Sequence, residues 1–344
     1  MTQTKRTILC TGGIGYIGSH TVIKLLEAGY DVHIVDNLTN SSVKVLDRIK
    51  QITDKTVKFT LADISDDIAM EKLFSTSQID AVIHFAALKS VGESVSKPLM
   101  YYENNVGGTV KLLRTMNKYN CKTIVFSSSA TVYKASVTPL TETDALGPSN
   151  PYGQTKRMME TILEDLSASD HDWKIELLRY FNPVGAHPSG LIGESPSGIP
   201  NNLVPYIQQV AVGRRTHLNV FGNDYCESQD GTGVRDYLHV EDLADAHVKA
   251  VAYLFNKEQG GCWTHNLGTG SGYSVLEMIK AFEKECGKEI KYQITARRPG
   301  DLGKVICNPS AALMDLGWKA EYGLSDMMKH AWRWQNDNPY GYEN

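Results

Sequence analysis

Short apolar runs alternate with stretches of helical periodicity through the first half of the chain. Six of these runs predict strands, at residues 7–10, 32–36, 57–61, 81–85, 123–127 and 175–179. Each is preceded or followed by a segment in which apolar residues recur at helical spacing. Strands that alternate with helices are typical of a parallel sheet covered on both faces. The pattern therefore predicts an α/β fold with a doubly wound parallel sheet.

Two helices of this half are predicted to be long. One follows Pro98 and the other follows Pro151. Proline is well placed near a helix start, because its missing N–H costs little there. Their sequence positions fit a pair of helices on the flank of such a sheet.

The pattern changes at Asn182, where prolines and glycines interrupt any regular element over some twenty residues. Such a segment is typical of a functional loop. Helical patterns return at residues 240–255, 275–286 and 324–335, a strand is predicted at 263–267, and residues 222–233 have the composition of a surface loop. We predict a dinucleotide-binding domain at residues 1–182, to which later segments return, and a smaller α/β lobe at 183–344 that mainly binds substrate.

Composition narrows the possible functions. The 344 residues include 35 basic and 39 acidic side chains, for a net charge of -4. No basic stripe interleaved with aromatic residues is present, so we expect no nucleic-acid partner. Residues 1–6 are short and polar and no long uncharged apolar run follows, which predicts a cytoplasmic protein without a membrane span. The six cysteines form no C-x-x-C, the ten histidines show no ligand spacing, and no metal is expected.

A glycine-rich loop follows the first predicted strand and opens a helix. Gly12, Gly15 and Gly18 permit a tight turn and allow a pyrophosphate to approach backbone N–H groups at the helix start. Asp36 ends the second predicted strand, eighteen positions beyond Gly18, where a carboxylate would bond a ribose 2′-hydroxyl and repel a 2′-phosphate. The loop, the helix and the acid together predict a Rossmann-type site for NAD rather than NADP.

Tyr152 and Lys156 lie one helical turn apart, and residues four apart share a helix face. An ammonium group beside a phenol stabilises the phenolate, and a bound nicotinamide cation would add to this effect. The pair therefore predicts a tyrosine whose pKa is lowered toward neutrality and which acts as a general base. Ser129 follows the fifth predicted strand, where ligands of open α/β sheets bind, and its hydroxyl can reach a substrate.

Several arginines and asparagines follow residue 182. Arginine suits bidentate recognition of phosphate, and Arg214, Arg215, Arg235, Arg297 and Arg298 fall near loops, which suggests a substrate that carries a diphosphate. Asparagines 182, 201 and 202 either form turns or donate neutral hydrogen bonds to a sugar or uracil.

The chain resembles the extended short-chain dehydrogenase/reductase superfamily, and within it the UDP-galactose 4-epimerase family. The similar segments extend over nearly the whole chain. They are residues 11–20, 35–38, 84–94, 101–106, 126–133, 149–156, 179–185, 200–206, 221–224, 231–245 and 298–302. Residues 134–147 are not strongly patterned, and Lys134 stands where the family usually has glycine.

The resemblance implies a role for each matching residue. Tyr152 would be the base, Lys156 its electrostatic partner and Ser129 the hydroxyl that assists proton transfer. The residues implied to bind NAD are Gly12, Gly15, Tyr16, Ile17, Gly18, Asp36, Asn37, Asp63, Ile64, Phe85, Ala86, Lys89, Asn104, Tyr152, Lys156 and Tyr180. The residues implied to bind the UDP-hexose are Lys89, Ser129, Tyr152, Asn182, Asn202, Leu203, Asn219, Phe221, Arg235, Arg298, Asp301 and Val305.

The implied reaction is a transient oxidation at C4 of the sugar. The flat 4-keto sugar turns over and is reduced on its other face, while NAD stays bound. Val305 aligns with the family position that limits space around the sugar 2-substituent, and a small residue there favours UDP-GlcNAc and UDP-GalNAc as further substrates. The resemblance also implies a homodimer formed by the two long helices.

Two other functions share parts of this pattern. Nucleotide-sugar dehydratases and decarboxylases share the fold. Dehydratases carry Asp-Glu after the active-site threonine, whereas this chain has Ala130-Thr131. An elimination reaction would therefore lack its acid–base pair. Non-catalytic NAD sensors typically lose the tyrosine or the lysine, and both are present here. An epimerase is therefore favoured.

Overall fold

The structure is a computed structural model that describes residues 5–134, 139–298 and 301–343. The strands in chain order are β1 (Thr7–Thr11), β2 (Asp31–Asp36), β3 (Lys58–Leu61), β4 (Ala81–His84), β5 (Thr123–Ser129), β6 (Lys174–Tyr180), β7 (Asn182–Val184), β8 (Leu218–Phe221), β9 (Val234–Arg235), β10 (Tyr237–His239), β11 (Gly261–Leu267), β12 (Tyr273–Ser274), β13 (Tyr292–Thr295) and β14 (Lys304–Val305).

The α-helices are α1 (Tyr16–Glu27), α2 (Lys44–Thr53), α3 (Asp67–Thr76), α4 (Val91–Ser96), α5 (Pro98–Tyr101), α6 (Gly108–Lys118), α7 (Pro151–Ser169), α8 (Leu203–Ala211), α9 (Val240–Asn256), α10 (Val275–Cys286), α11 (Ser310–Leu316) and α12 (Leu324–Asp337). A π-helical segment, Tyr102–Gly107, joins α5 to α6, so residues 98–118 form one long helix. Among the described residues we find no helix with the length and apolar character that a bilayer-spanning segment needs.

Seven strands of the described chain form the central sheet, in the order β11-β6-β5-β4-β1-β2-β3. Every neighbouring pair is parallel. The order reverses at β1, which lies between β2 and β4, with Thr11 opposite His84. Ligands of such sheets bind beyond the carboxyl ends of the strands at this reversal point. The topology therefore places the glycine loop after β1 beside the residues that follow β4.

Buried apolar side chains cover both faces of the sheet. One cluster packs α1, α2, α9 and α11 against one face, and its fully buried members include Val22, Leu243 and Trp318. The other packs α3, α6 and α7 against the opposite face, around Leu112 and Leu163. Because both faces are covered, the strands are continuous apolar runs, as the sequence pattern indicated.

A third cluster forms the core of the later lobe. It joins α8, α10 and α12 to β8, with Ile207, Phe282 and Met328 fully buried. Small sheets extend this lobe: β7 pairs with β10, β8 with β13, and β9 lies between β12 and β14. The last of these sheets places Val305 opposite Arg235.

The predicted fold class is confirmed, since the sheet is parallel, doubly wound and accompanied by a smaller α/β lobe. The six predicted strands of the first half and the helices at 240–255, 275–286 and 324–335 are present, with ends that differ by up to two residues. The prediction of an irregular segment after Asn182 was wrong at β7, and α8 and the short pairs β8–β13 and β9–β14 were missed. The division at residue 182 stays a prediction, although β11 does lie in the central sheet.

Candidate active site

The backbone of the glycine loop is packed too closely for side chains at two positions. Gly12 has φ of +67°, and a Cβ built there would lie 2.9 Å from the backbone nitrogen of Ala86. A Cβ at Gly18 would collide with the carbonyl oxygen of Gly12. Both positions therefore need glycine, because the loop backbone packs directly on Ala86 and on the start of α1. This arrangement fits the pyrophosphate of a dinucleotide.

Asp36 is held rigidly beside this loop. Its carboxylate is buried and accepts hydrogen bonds from the backbone N–H of Leu38 at 2.9 Å and from Ser41 Oγ at 2.8 Å. The N–H of Ile14 donates to the other oxygen at 3.4 Å, which ties the acid to the loop. A fixed carboxylate at the end of β2 fits a ribose hydroxyl.

Polar groups next to Asp36 continue the same edge of the sheet. Asn37 Nδ2 donates to Asp63 Oδ2 at 2.7 Å. Burial opposes the ionisation of Asp63, but hydrogen bonds from Ser65 and Asn37 outweigh it and lower the pKa of Asp63 below its ordinary value. Ile64, which follows, packs into the core.

The remaining residues expected to bind NAD line the ends of α1, β4 and β6. Tyr16 donates its hydroxyl to the Gly185 carbonyl at 2.8 Å, and Ile17 is half-buried against the core. Phe85 stacks near His247, whose ring also bonds the Tyr180 hydroxyl. Asn104 donates to its neighbour Asn105 at 2.9 Å.

The catalytic candidates meet where β5 ends. Ser129 is the last residue of β5, and Asn150 caps α7, which brings Tyr152 onto its first turn. Ser129 Oγ accepts hydrogen bonds from Thr131 N–H at 3.2 Å and Thr131 Oγ1 at 3.0 Å. Ser129 also lowers the pKa of Tyr152, which places the two side chains beside one another at the end of β5.

The pKa of Tyr152 differs from the prediction. Burial raises the pKa of Tyr152 above its ordinary value, and the hydrogen bond with Ser129 lowers it only in part. Lys156 Nζ donates to the Ser127 carbonyl at 2.6 Å and lies 5.9 Å from the centre of the Tyr152 ring. The prediction of a lowered tyrosine pKa is therefore wrong for the groups that the chain itself supplies.

Lys156 is itself strongly affected by burial. Burial lowers the pKa of Lys156 to about 7, and the carboxylate of Glu160 opposes that shift. The lysine charge in turn adds to burial in lowering the pKa of His84 to about 3. A lysine that is half-charged near neutrality responds strongly to any further charge placed beside it.

A buried ion pair supports this site from below. Glu160 is fully buried on α7 and accepts from both Nε and Nη2 of Arg179 on β6, each at 2.9 Å. Ser128 Oγ donates to the same carboxylate at 2.6 Å. The pair therefore joins α7 to β5 and β6 directly beside Lys156.

The residues expected to bind substrate form a second group on the later lobe. Arg235 pairs with Asp301, and the guanidinium of Arg298 lies 3.9 Å from the centre of the Phe221 ring. Val305 packs on the same small cluster as Ala130, the residue after Ser129. Exposed amides at the start of β7, at the start of α8 and on β8 complete the group: Asn182, Asn202 and Asn219, with Leu203 half-buried beside them.

Three of the five arginines bond groups other than the substrate candidates. Arg214 Nη1 donates to the Pro339 carbonyl at 3.2 Å, and Arg215 Nε donates to Gln209 Oε1 at 2.7 Å. Arg297 bonds Asp224 at 2.7 Å. Arg235 and Arg298 lie with the substrate candidates, and Arg297 lies near them, since its charge and those of Arg235 and Asp301 all act on the pKa of Tyr225.

The unpatterned segment is only partly described. Lys134 N–H donates to the Ala145 carbonyl at 2.9 Å, and Leu140 N–H donates to the Ile306 carbonyl at 2.8 Å. Residues 135–138 lie outside the described residues, as do residues 1–4 of the polar amino-terminal segment.

Sequence reasoning missed Thr131, Glu160 and Glu194. Glu160 lies four residues after Lys156, so helical spacing could have revealed it. Thr131 and Glu194 carry no such signal. Glu194 lies in a segment without periodicity. Its carboxylate accepts from Lys89 Nζ at 2.9 Å and from Asn202 Nδ2 at 3.1 Å.

Comparisons with known proteins agree with this geometry. A UDP-glucose 4-epimerase from Bacillus subtilis is 56% identical over 337 residues, which cover 98% of each chain. The crystal structure of UDP-glucose 4-epimerase from Bifidobacterium longum in complex with NAD+ and UDP is 52% identical, with a TM-score of 0.94 over 98% of this chain and all of that one. The UDP-Glc/GlcNAc 4-epimerase from Campylobacter jejuni is 35% identical, with a TM-score of 0.84 over 96% of this chain and 99% of that one.

The family model for NAD dependent epimerases and dehydratases matches residues 8–268, which include the glycine loop, Asp36, Ser129, Tyr152 and Lys156. The cofactor is therefore NAD, as the cradle after β1 and the carboxylate at the end of β2 indicated. On the strength of this match and of the relatives' identity over nearly the whole length, the chain belongs to the NAD-dependent epimerase/dehydratase family.

Proposed function

We propose that the chain interconverts UDP-glucose and UDP-galactose by 4-epimerisation through a transient 4-keto sugar. The observation that carries this proposal is the position of Ser129 and Tyr152 at the carboxyl end of β5, where Ser129 lowers the pKa of Tyr152, on the same edge of the sheet as the glycine loop. The named activity of the Bacillus and Bifidobacterium relatives supports the choice of reaction.

Each catalytic side chain has one task. Tyr152 takes the proton of the sugar 4-hydroxyl and returns it after the sugar has turned. Ser129 donates to the tyrosine oxygen and so favours its ionised form, while Lys156 adds positive charge. NAD, when bound, supplies the hydride acceptor and donor for C4. The flat keto group can present either of its faces to the site, so a single base serves both directions of the reaction.

The anchoring of UDP would let the hexose turn without leaving. Arg235 and Arg298 supply positive charge for the diphosphate, and Phe221 offers a ring face. Asn182, Asn202 and Asn219 supply neutral hydrogen bonds, and their exposed side chains are accessible to a ligand. We accordingly propose that residues 1–182, with β11, hold the cofactor and that 183–344 hold most of the UDP-sugar.

We further propose that UDP-GlcNAc and UDP-GalNAc are substrates. Val305 packs on the cluster that contains Phe181 and that also supports Ala130, the residue after Ser129. Valine leaves more space there than a tyrosine would. The named activity of the Campylobacter relative on both sugar classes supports the proposal.

An end-point assay tests both proposals together. UDP-glucose and UDP-GlcNAc are offered separately and the products are resolved by chromatography. We expect wild type to convert both sugars, and Val305→Tyr to lose conversion of UDP-GlcNAc selectively. Val305→Ala, which adds no bulk, is the control and should keep both. Equal losses on the two sugars with Val305→Tyr would contradict the role of Val305, and an inactive wild type would contradict the epimerase.

The exposed face of the long helices supports a homodimer. Val95 on α4 is 64% exposed and Leu99 on α5 is 81% exposed, and Met158 on α7 lies on the adjoining helix at 44%. Helices α4 and α5 both pack on α7, so these side chains belong to one apolar surface. We propose that a second copy of the chain covers it.

We also propose that the protein is cytoplasmic, as its composition suggests.

A further inference from the structure

Glu194 occupies a fixed position between a residue expected to bind NAD, Lys89, and a residue expected to bind the UDP-sugar, Asn202. It lies in the segment that follows β7, and its side chain is 9% exposed. The indole of Trp334 on α12 donates to its backbone carbonyl at 3.1 Å. The hydroxyl of Tyr342 lies 3.3 Å from the backbone nitrogen of Gly193, the residue before it. The carboxyl-terminal elements thus hold the backbone of Glu194 in place.

The carboxylate of Glu194 joins side chains from two distant elements. Lys89, which follows β4, donates its Nζ to Oε1 at 2.9 Å. Asn202, which precedes α8, donates its Nδ2 to the same oxygen at 3.1 Å. The amide of Asn202 is thereby oriented, with its acceptor oxygen turned away from Glu194. Burial and then the charge of Glu194 raise the pKa of Tyr16, which places the glutamate near the glycine loop as well.

These contacts have a common consequence. Lys89 and Tyr16 are expected to bind NAD, whereas Asn202 is expected to bind the UDP-sugar. We propose that Glu194 is a positioning residue that couples the cofactor side of the cleft to the substrate side by holding Lys89 and Asn202 at one carboxylate oxygen. This inference rests on the proposed function, since it assigns the two donors to those two ligands.

The coupling has a physical basis in the strength of the two bonds. A hydrogen bond from an ammonium to a buried carboxylate is charge-assisted and short. It limits the rotamers of a lysine whose side chain is otherwise 46% exposed. When the carboxylate is lost, both donors regain freedom, and ordering them again reduces the binding free energy.

A calorimetric titration of UDP into the NAD-loaded protein tests the proposal without relying on turnover. We expect Glu194→Gln to weaken UDP binding by about 10-fold, because the amide oxygen of glutamine accepts from the Lys89 ammonium without the charge assistance that a carboxylate gives. In assays with UDP-glucose, KM should rise by a similar factor while kcat changes by less than about 3-fold. The control is Glu71→Gln, which changes a carboxylate on α3 that lies 2.6 Å from Lys118 Nζ and should leave UDP affinity unchanged.

A double-mutant cycle separates coupling from a purely structural role. Lys89→Met and Asn202→Ala change two largely exposed side chains, so both variants should fold even if Glu194→Gln does not. Since the proposed link runs through Glu194, their effects on UDP affinity should be non-additive by about 3-fold or more. Additive effects, or unchanged UDP affinity in Glu194→Gln, would overturn the proposal. If wild type is active and one of these results is found, only the role of Glu194 is contradicted and the proposed epimerase activity stands. If wild type is inactive but the effects are still non-additive, only the epimerase activity is contradicted.

Discussion

At the scale of single residues, burial opposes the ionisation of Tyr152 while Ser129 favours it. The balance within the chain leaves the pKa of Tyr152 above its ordinary value. A base at this position therefore needs more positive charge than the chain holds on Lys156, whose own pKa burial lowers to about 7. The cation of bound NAD would supply that charge to the phenol, although it would oppose the protonation of Lys156, which ties proton transfer to cofactor binding.

Tyr152→Phe should abolish turnover. The change removes the hydroxyl that takes the proton and keeps the ring, so conversion of UDP-glucose should fall by at least about 100-fold while UDP binding is nearly unchanged. Chromatographic assay and calorimetry measure the two quantities. Tyr253→Phe, whose ring packs on Trp263 beside the edge strand, is the control and should stay active. Turnover retained in Tyr152→Phe would show that another group is the base.

At the scale of elements, two polar clusters join neighbouring strands and helices. Glu160 and Arg179 connect α7 to β6 beneath the catalytic pair. Farther along the sheet, His265 on β11 bonds Glu176 on β6 at 2.6 Å and Asp315 on α11 at 3.1 Å. Both clusters are largely buried, so the loss of one partner leaves the other charge without compensation.

Glu160→Gln should destabilise the fold strongly. Arg179 is 3% exposed and would face a neutral amide, which costs about 3–5 kcal/mol of unfolding free energy. Urea unfolding of both proteins gives the difference. Glu164→Gln changes a carboxylate on the same helix that is 40% exposed, and it should cost less than about 0.5 kcal/mol. If the two variants lose similar stability, the buried pair does not support the site.

The triad around His265 predicts a pH dependence of stability. Burial opposes the protonation of His265, but the bond and charge of Glu176 outweigh it and raise the pKa of His265 above 6.5. The native state therefore binds more protons than the unfolded state just above pH 6.5. This stabilisation is complete below the unfolded pKa and is lost as pH rises through the folded pKa.

Asp315→Asn should shift that loss to lower pH, because it removes one of the two carboxylates that raise the pKa of His265. The unfolding free energy measured at several pH values between about 6 and 8 gives the profile. Asp245→Asn, which changes a surface carboxylate 3.5 Å from Lys249, should follow wild type. A profile in Asp315→Asn that matches wild type would contradict the bridging role of His265.

At the scale of the whole molecule, the sheet, the later lobe and the apolar helix surface form one functional arrangement. The sheet carries the glycine loop after β1 and Ser129 at the end of β5, and we propose that Arg235 and Val305 of the later lobe face the same site. Helices α6 and α7 cover the sheet on one side, and α4, α5 and α7 leave apolar side chains exposed. Dimer formation through that surface would bury it without obstructing the cleft.

Leu99→Asp should convert the proposed dimer into a monomer. The charge would be placed at the centre of the apolar surface, where burial without a partner is costly. Analytical ultracentrifugation measures the mass in solution. Ile68→Asp is a matched control, because Ile68 on α3 is 83% exposed and lies outside the surface. Equal masses for wild type and Leu99→Asp would contradict this interface.

The sequence by itself determined the fold class and the cofactor, and it predicted the tyrosine–lysine pair. These depend on local patterns: apolar runs that form buried parallel strands, glycines without room for a Cβ, and a tyrosine and a lysine on one helical turn. Helix α8 and the paired short strands β8 and β13 gave weaker signals, because short elements depend on their neighbours in the lobe.

Only the tertiary structure decided which charges meet. Glu160 with Arg179, and Glu194 with Lys89 and Asn202, are separated by up to 105 residues in the chain. It also showed that burial raises the pKa of Tyr152, because desolvation depends on every group that surrounds the phenol and not only on the lysine one turn away. Spacing along a helix specifies neighbours, whereas burial and long-range ion pairs exist only after the elements have packed.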